Sequence, residues 1–210
     1  MQQGLLPLFP LQVVLLPGTQ LPLHIFEDRY KEMIGEALSD STEFGIVLAN
    51  ERGIAETGCT ARIENVLKEY SDGRMDILTR GHRRFEIQMV NQDRNFLRGS
   101  VEYFDDEPAP TDDFEILRAE AIASYNRLQE MRSGDPIDPG SSDPQISFRL
   151  AHPIDDLVLR QNLLMSRNES DRLRKLAEFL PTLTGQQQTI HKLREAARLN
   201  GHGPRKVEED

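Results

Sequence analysis

The side chains most able to do chemistry are five histidines and one cysteine, and their spacing sets narrow limits. His24 and Glu27 lie three residues apart, which would let an imidazole and a carboxylate share a metal ion. Such a site needs a third and a fourth ligand, and the other histidines lie far away along the chain, at positions 82, 152, 191 and 202. The sequence therefore predicts no metal site and no other cofactor.

Signatures of catalysis are missing from the sequence. Cys59 falls on the apolar side of an alternating segment with Ala61 and Ile63, which favours a buried structural cysteine over a nucleophile. No glycine is followed by lysine, so the GxxxxGK[ST] loop that holds nucleotide phosphates is absent, as are GxSxG and HExxH. No catalytic residue is predicted.

Arg80, Arg83 and Arg84, with His82 among them, form the strongest local cluster of positive charge. Guanidinium groups bind phosphates and carboxylates through charge-assisted hydrogen bonds. These arginines are therefore candidates for an anion-binding or acidic-partner patch. The alternative is a solvated strand face whose arginines pair with the acidic side chains that the chain has in excess.

A second candidate site lies near the N-terminus, between residues 15 and 26. The sequence LLPGTQLPLHIF combines many apolar side chains with a glycine and two prolines, too broken for long regular structure. An apolar segment beside an open strand edge can accept an unfolded polypeptide as an added strand. Leu21, Leu23 and Phe26 are the candidate peptide-binding residues. The alternative is that they close one end of a barrel and belong to the core.

The elements that must position these residues differ between the two parts of the chain. Before residue 107, apolar runs and period-two alternation predict about six strands, and the apolar spacing over 27–38 predicts one amphipathic helix. Residues 13–16 are among the predicted edge strands or extended segments. Asp72 and Gly73 separate two strand-like runs and predict a hairpin turn. Few helices intervene between the strands, which indicates an antiparallel barrel or sandwich.

After residue 107 the pattern becomes helical. Thr111 to Asp113 resembles a helix start, and one long helix is predicted from there. Residues 133–143 read as a loop, and further helices are predicted over 155–165, from Asn168 to Leu180, and around Ile190 and Leu193. We therefore predict an α+β fold, with an antiparallel barrel or sandwich subdomain over 1–107, a helical bundle over 108–200 and a disordered tail over 201–210.

The composition of the chain limits its possible partners and its cellular compartment. The 210 residues carry 25 basic and 35 acidic side chains, a net charge of -10, so RNA binding would need a local basic patch. The apolar N-terminus has no basic residue before it and is broken by prolines, which argues against a signal peptide. No apolar run approaches the roughly 20 residues needed to span a bilayer. With a single cysteine, which cannot form an internal disulfide, we predict a cytoplasmic protein.

Several motifs resemble the N-terminal, substrate-binding domain of the Lon protease family. The opening contains a Pro-Leu-Phe-Pro strand, a Leu-Pro-Gly turn and Leu-His-Ile-Phe-Glu-x-Arg-Tyr entering a helix, within residues 5–34. Segments at 58–66, 72–87 and 169–180 follow in the order that the family shows. The resemblance implies a PUA-like β-barrel followed by a small helical bundle. It also implies a stand-alone Lon-domain protein, because no ATPase or Ser-Lys protease segment is present in the sequence.

By this resemblance the expected function is recognition of unfolded polypeptide or a protein partner without cleavage, as a proteolysis-related adaptor. The first alternative is an RNA-binding PUA-like protein, which the acidic net charge argues against. The second is a hydrolase of unrecognised chemistry, which the scattered histidines and the lone cysteine do little to support.

Overall fold

The computed structural model describes residues 4–51, 53–107 and 112–200. Six strands and five helices lie in these ranges. The strands are β1 Leu6–Leu11, β2 Gln20–Ile25, β3 Phe44–Asn50, β4 Gly53–Glu69, β5 Met75–Asn91 and β6 Arg98–Phe104. The helices are α1 Asp28–Asp40, α2 Phe114–Arg132, α3 Ile146–Leu150, α4 Leu157–Met165 and α5 Glu169–Asn200.

The six strands form one sheet in the order β2-β5-β4-β3-β1-β6, and β6 also pairs with β5. Five strands are thus linked in a ring, and β2 lies outside it against β5. Contact between β1 and β6 is short, with only Leu6 opposite Gly99 and Pro7 opposite Arg98. The predicted α+β class, with six strands and one helix in this part, is confirmed.

One strand pair departs from the antiparallel expectation, because β1 and β3 run parallel. Parallel neighbours need a long connection, and here the chain between them contains both β2 and α1. Residues 13–16 form no strand. Their side chains from Val14 to Leu16 are buried, and the oxygen of Val14 accepts hydrogen bonds from Arg160 instead of a neighbouring strand.

The core of the ring is built around Leu6, Leu8, Val47 and Phe85, all buried. A Cβ added at Gly58 would approach within 2.5 Å of Phe85 and one at Gly45 within 2.6 Å. Both positions therefore need glycine because the Phe85 ring occupies the space of a side chain. The tight turn between β4 and β5 has Gly73 at a φ of 80°, which confirms the predicted hairpin.

The predicted long helix corresponds to α2, and the helix predicted over 155–165 corresponds to α4. The two helices predicted after Asn168 are one, because α5 runs through Pro181 for 32 residues. A proline inside a helix removes one backbone hydrogen bond, and α5 continues past this loss at Pro181. The buried stripe of Leu173, Leu176, Leu180 and Thr184 continues across that point and keeps the helix in place.

Contacts divide the described chain into two compact units. One contains residues 4–107 and 144–169, and the other contains 112–143 and 170–200. The predicted subdomain boundary placed 144–169 with the helices, whereas these residues pack with the sheet. The predicted tail at 201–210 lies outside the described residues. Among the described helices, none is long and apolar enough to cross a membrane.

Candidate functional site

Strand β2 is an edge of the sheet, and its outer side is open among the described residues. It pairs with β5 from Gln20 opposite Arg80 to Ile25 opposite Met75. The N–H of Gly81 donates to the oxygen of Thr19 at 2.9 Å, and hydrogen-bonded positions recur at every second residue of an antiparallel pair. The backbone groups of Leu21, Leu23 and Ile25 therefore face β5.

The alternate residues Gln20, Pro22 and His24 direct their backbone groups away from β5. Proline lacks an N–H and is tolerated on edge strands where the missing donor would face solvent. Pro22 occupies such a position. It therefore does not interrupt β2, although the prolines of this segment argued against regular structure in the sequence. The open edge offers the N–H groups of Gln20 and His24 and three carbonyl oxygens.

The three predicted peptide-binding residues lie close together but do not share one side of β2. Leu21 and Leu23 are half-buried on the side of the fully buried Ile25. Phe26 follows the strand, is 60% exposed and stacks on the His24 ring at a centroid distance of 5.9 Å. Phe26 is thus the predicted residue most accessible to a ligand.

Two further apolar residues are exposed on β4, which is separated from β2 by β5, and the intervening Ile77 is fully buried. Leu23 lies opposite Ile77 of β5, and Ile77 lies opposite Val66 of β4. Val66 and the adjacent Leu67 are both exposed, Leu67 to 59%. We call Phe26 and Leu23, together with the open edge of β2, the edge surface.

A polar network lies at the end of this surface. His24 Nδ1 is 2.6 Å from Asp76 Oδ1, and the Tyr70 hydroxyl donates to Asp76 Oδ2 at 2.8 Å. These hydrogen bonds from His24 and Tyr70 hold the pKa of Asp76 below its usual value. Because Nδ1 faces Asp76, Nε2 of His24 is the ring nitrogen left to meet a ligand. The hydrogen bond to Asp76 fixes the orientation of the His24 ring.

Sequence reasoning missed Tyr70 and Asp76. The Asp72-Gly73 turn places both residues near the hairpin, but only the register of β5 against β2 brings Asp76 opposite His24. The considered pairing of His24 with Glu27 does not form a metal site, because Glu27 binds Arg29 at 2.8 Å. Within the described ranges no group of three or more candidate metal ligands occurs.

The three predicted anion-binding arginines do not form one patch. Arg80 pairs with Glu64 and donates to the oxygen of Gly18 at 2.7 Å. Arg84 is 2% exposed and binds Asp106 at 2.6 Å and two backbone oxygens, of Leu164 and Ser166. Arg83 stays half-exposed. Arg80 therefore fits the alternative better, as an arginine of a solvated strand face that pairs with an acidic side chain. Arg84 is a buried structural residue.

Cys59 lies in the core with no measurable exposure. Burial raises the pKa of its thiol to about 12. The thiolate is the reactive form of cysteine, so this residue is unsuited to act as a nucleophile. The preference for a structural cysteine is consistent with this position.

Glu43 is shared by much of the basic cluster. Its carboxylate lies 2.8 Å from Arg62, 2.6 Å from His82 and 3.5 Å from Arg83. Burial acts to raise the pKa of Glu43, but hydrogen bonds from Thr60, Arg62 and His82 outweigh it and hold this pKa below its usual value. A carboxyl whose pKa is lower in the folded than in the unfolded state stabilises the fold at pH values above its unfolded pKa. This stabilisation is lost as the pH falls through its folded pKa.

We expect the free energy of unfolding to fall as the pH decreases below about 4.5, and the Glu43→Gln variant to show a shallower fall because it has no such proton to bind. Urea unfolding between pH 3 and pH 7 measures this. The matched control is Glu69→Gln at an exposed position, which should keep the wild-type acid dependence. An unchanged slope in Glu43→Gln would show that another carboxyl controls acid stability.

Comparison with known proteins identifies relatives of this chain. Residues 5–182 match the family model described as the ATP-dependent protease La (LON) substrate-binding domain. Lon protease of Parabacteroides distasonis is 32% identical over 123 residues, which cover 53% of this chain and 15% of that protein. Lon protease 1 of Hydrogenovibrio crunogenus is 26% identical over 215 residues, covering 94% of this chain and 25% of that protein.

Two solved structures are similar in fold. One is the Lon N-terminal domain protein from Xanthomonas campestris, with 28% identity, a TM-score of 0.65, and coverage of 83% of this chain and 97% of that one. The other is the N-terminal domain of Mycobacterium avium complex Lon protease, with 20% identity, a TM-score of 0.68, and coverage of 85% and 98%. The chain spans a quarter or less of the two curated relatives but nearly the whole of both solved chains.

Proposed function

Because this chain belongs to the LON substrate-binding domain family, we propose that it binds extended apolar segments of other polypeptides at the edge surface. The observation that carries the proposal is the open edge of β2 beside the exposed ring of Phe26. The bound segment adds to the sheet as a further strand next to β2. Main-chain hydrogen bonds then supply affinity that does not depend on sequence.

Side chains of the edge surface supply the preference for apolar segments. Phe26 stands at the end of the strand, and burying an aromatic side chain contributes about 1.5–3 kcal/mol. His24 supports the site by holding the Phe26 ring against its own, with its orientation fixed by Asp76.

We further propose that the chain binds without cleaving, in an adaptor role beside a separate protease, in the cytoplasm. The buried Cys59, which is unsuited to act as a nucleophile, supports binding alone. RNA binding has less support, because Arg80 and Arg84 are paired with carboxylates in an acidic chain. The names of the relatives, both Lon proteases, support a link to proteolysis.

The test is fluorescence anisotropy of a labelled, permanently unfolded polypeptide titrated with the protein at low and high salt, beside a single-stranded RNA. We expect polypeptide binding that tolerates salt, and about tenfold weaker binding by Phe26→Asp, since the apolar contact is lost. The matched control is Val158→Asp, an apolar residue that is 71% exposed elsewhere in the same unit.

Circular dichroism first establishes that both variants fold. Equal binding by folded Phe26→Asp and wild type would remove the edge surface as the site. A second probe tests the mode: a peptide N-methylated at every second residue loses strand pairing and should not bind. RNA binding that collapses with salt would replace the proposal by the nucleic-acid alternative.

A further inference from the structure

A cavity of about 290 Å3 lies where β1 and β6 separate. Their pairing ends at Leu6 and Gly99. The described residues that line the cavity lie just before β1, in β6 after Gly99, and in β5. They are Gly4, Arg83, Ser100, Val101 and Tyr103. Its volume is near the lower end of the range for ligand pockets, roughly 300–1,000 Å3.

Positive charge dominates this cavity. Among the described lining residues Arg83 carries the charge, with its guanidinium carbon 3.9 Å from the centre of the Tyr103 ring. The nearest carboxylate, Glu43, is 3.5 Å away and is shared with Arg62 and His82 at shorter distances. One negative charge thus serves two arginines, so the charge of Arg83 is incompletely balanced.

Hydrogen-bond donors meet in the same place. Tyr103 brings a hydroxyl that has no hydrogen-bond partner among the described residues, whereas Ser100 lies three positions earlier on β6, with its side chain on the opposite face of the strand. The backbone of Arg83 is fixed, because its N–H donates to Thr60 Oγ1 at 3.0 Å. A guanidinium and a hydroxyl in one small cavity match the acceptor oxygens of an anion.

A neighbouring cavity of about 320 Å3 shares Gly4 and Tyr103 but has the opposite character. Three carboxylates line it beside two arginines: Glu36, Asp40 and Glu43 with Arg94 and Arg98. The carboxylates outnumber the arginines in this second cavity, so an anion is better accommodated beside Arg83.

We propose that the Arg83 cavity binds a carboxylate of the polypeptide ligand, either an acidic side chain or the C-terminal carboxylate. The polypeptide source rests on the proposed function, whereas the anion site itself rests on Arg83 and Tyr103. The site keeps one of the three arginines that the sequence suggested and adds the Tyr103 hydroxyl, which the sequence did not suggest. It lies apart from Phe26 on the sheet. It would bind a charged group of the ligand, whereas the edge surface would bind apolar side chains.

The anion site is tested without any polypeptide by titrating sodium acetate against sodium chloride at constant ionic strength and recording 1H–15N spectra. We expect saturable shifts of the Arg83 side-chain N–H and of the amides from Ser100 to Tyr103. Arg83→Gln should abolish the shifts at Ser100 to Tyr103. The matched control Arg80→Gln, on the same strand but outside the cavity, should keep them. Absence of saturable shifts in the wild type, or their persistence in Arg83→Gln, overturns the site.

Two pairs of labelled peptides then identify the source of the carboxylate. One pair differs by a free or amidated C-terminus, and the other by Glu or Gln at an internal position. Wild type and Arg80→Gln should prefer one acidic member about tenfold, and Arg83→Gln should lose that preference, since a charge-assisted hydrogen bond is removed. The pair whose members differ in affinity identifies the carboxylate that the cavity binds.

The two proposals fail separately. Acetate shifts without peptide binding keep the anion site and overturn the polypeptide as its source. Peptide binding that depends on Phe26 but shows no preference within either pair keeps the proposed function and overturns the carboxylate proposal.

Discussion

Replacing Arg84 by methionine is expected to lower the free energy of unfolding by about 3 kcal/mol or more. The guanidinium is buried and holds the Asp106 carboxylate at 2.6 Å. It also binds the backbone oxygens of Leu164 and Ser166, which belong to the segment that packs back onto the sheet. Methionine fills much of the volume but leaves these acceptors with one donor fewer. Urea unfolding followed by circular dichroism measures the change.

The control for this prediction is Arg80→Met on the same strand. Its side chain is 44% exposed in an ion pair with Glu64, and exposed pairs contribute about 0–1 kcal/mol. A similar loss for both variants would mean that the buried position of Arg84 carries no special weight. A loss for Arg84→Met alone supports its role as the residue that fastens 144–169 to the sheet.

The second large effect is expected for Gly81→Ala, a loss of about 2–3 kcal/mol. A Cβ at this position would overlap the carbonyl group of Leu16. That carbonyl cannot retreat easily, because Thr19 donates to it from both its backbone at 3.2 Å and its hydroxyl at 2.7 Å. Gly81 itself exchanges backbone hydrogen bonds with Gly18 and Thr19, each at 2.9 Å.

Gly35→Ala is the matched control and should have the opposite sign. Gly35 lies inside α1, and nothing lies within 4 Å of a Cβ placed there. Alanine in a helix interior is more favourable than glycine by roughly 0.5–1 kcal/mol. Thermal or urea unfolding of both variants decides the matter, and a Gly81→Ala protein as stable as wild type would contradict the close approach to Leu16.

Much of the fold could be predicted because its elements are locally encoded. The helix at α1 shows its apolar face in the spacing of its residues, and Asp72 with Gly73 marks the hairpin through turn chemistry. β2 was harder, since Pro22 argues against a strand unless the residue is known to face away from the neighbouring strand. That knowledge comes from the register of β2 against β5, a contact between residues more than 50 positions apart in the chain.

The candidate site could be predicted only in outline, for the same reason. The sequence identifies Phe26 as apolar and Arg83 as basic, but their surroundings are set by strand pairing. Asp76 meets His24 only through the β2 and β5 register. Arg84 looks like its neighbour Arg83 in sequence, yet one side chain is buried and the other half-exposed, because successive residues of a strand face opposite sides.

Pro22 has a further consequence for the behaviour of the protein at high concentration. An open strand edge invites copies of the same chain to pair edge to edge, the first step towards fibrils. In a symmetric antiparallel pair centred on β2, Pro22 would meet the Pro22 of the other copy, and the central pair would lack both donors. A foreign segment brings its own amide at that position. Pro22 thus weakens edge-to-edge pairing between copies of this chain, while the edge stays available to segments of other chains.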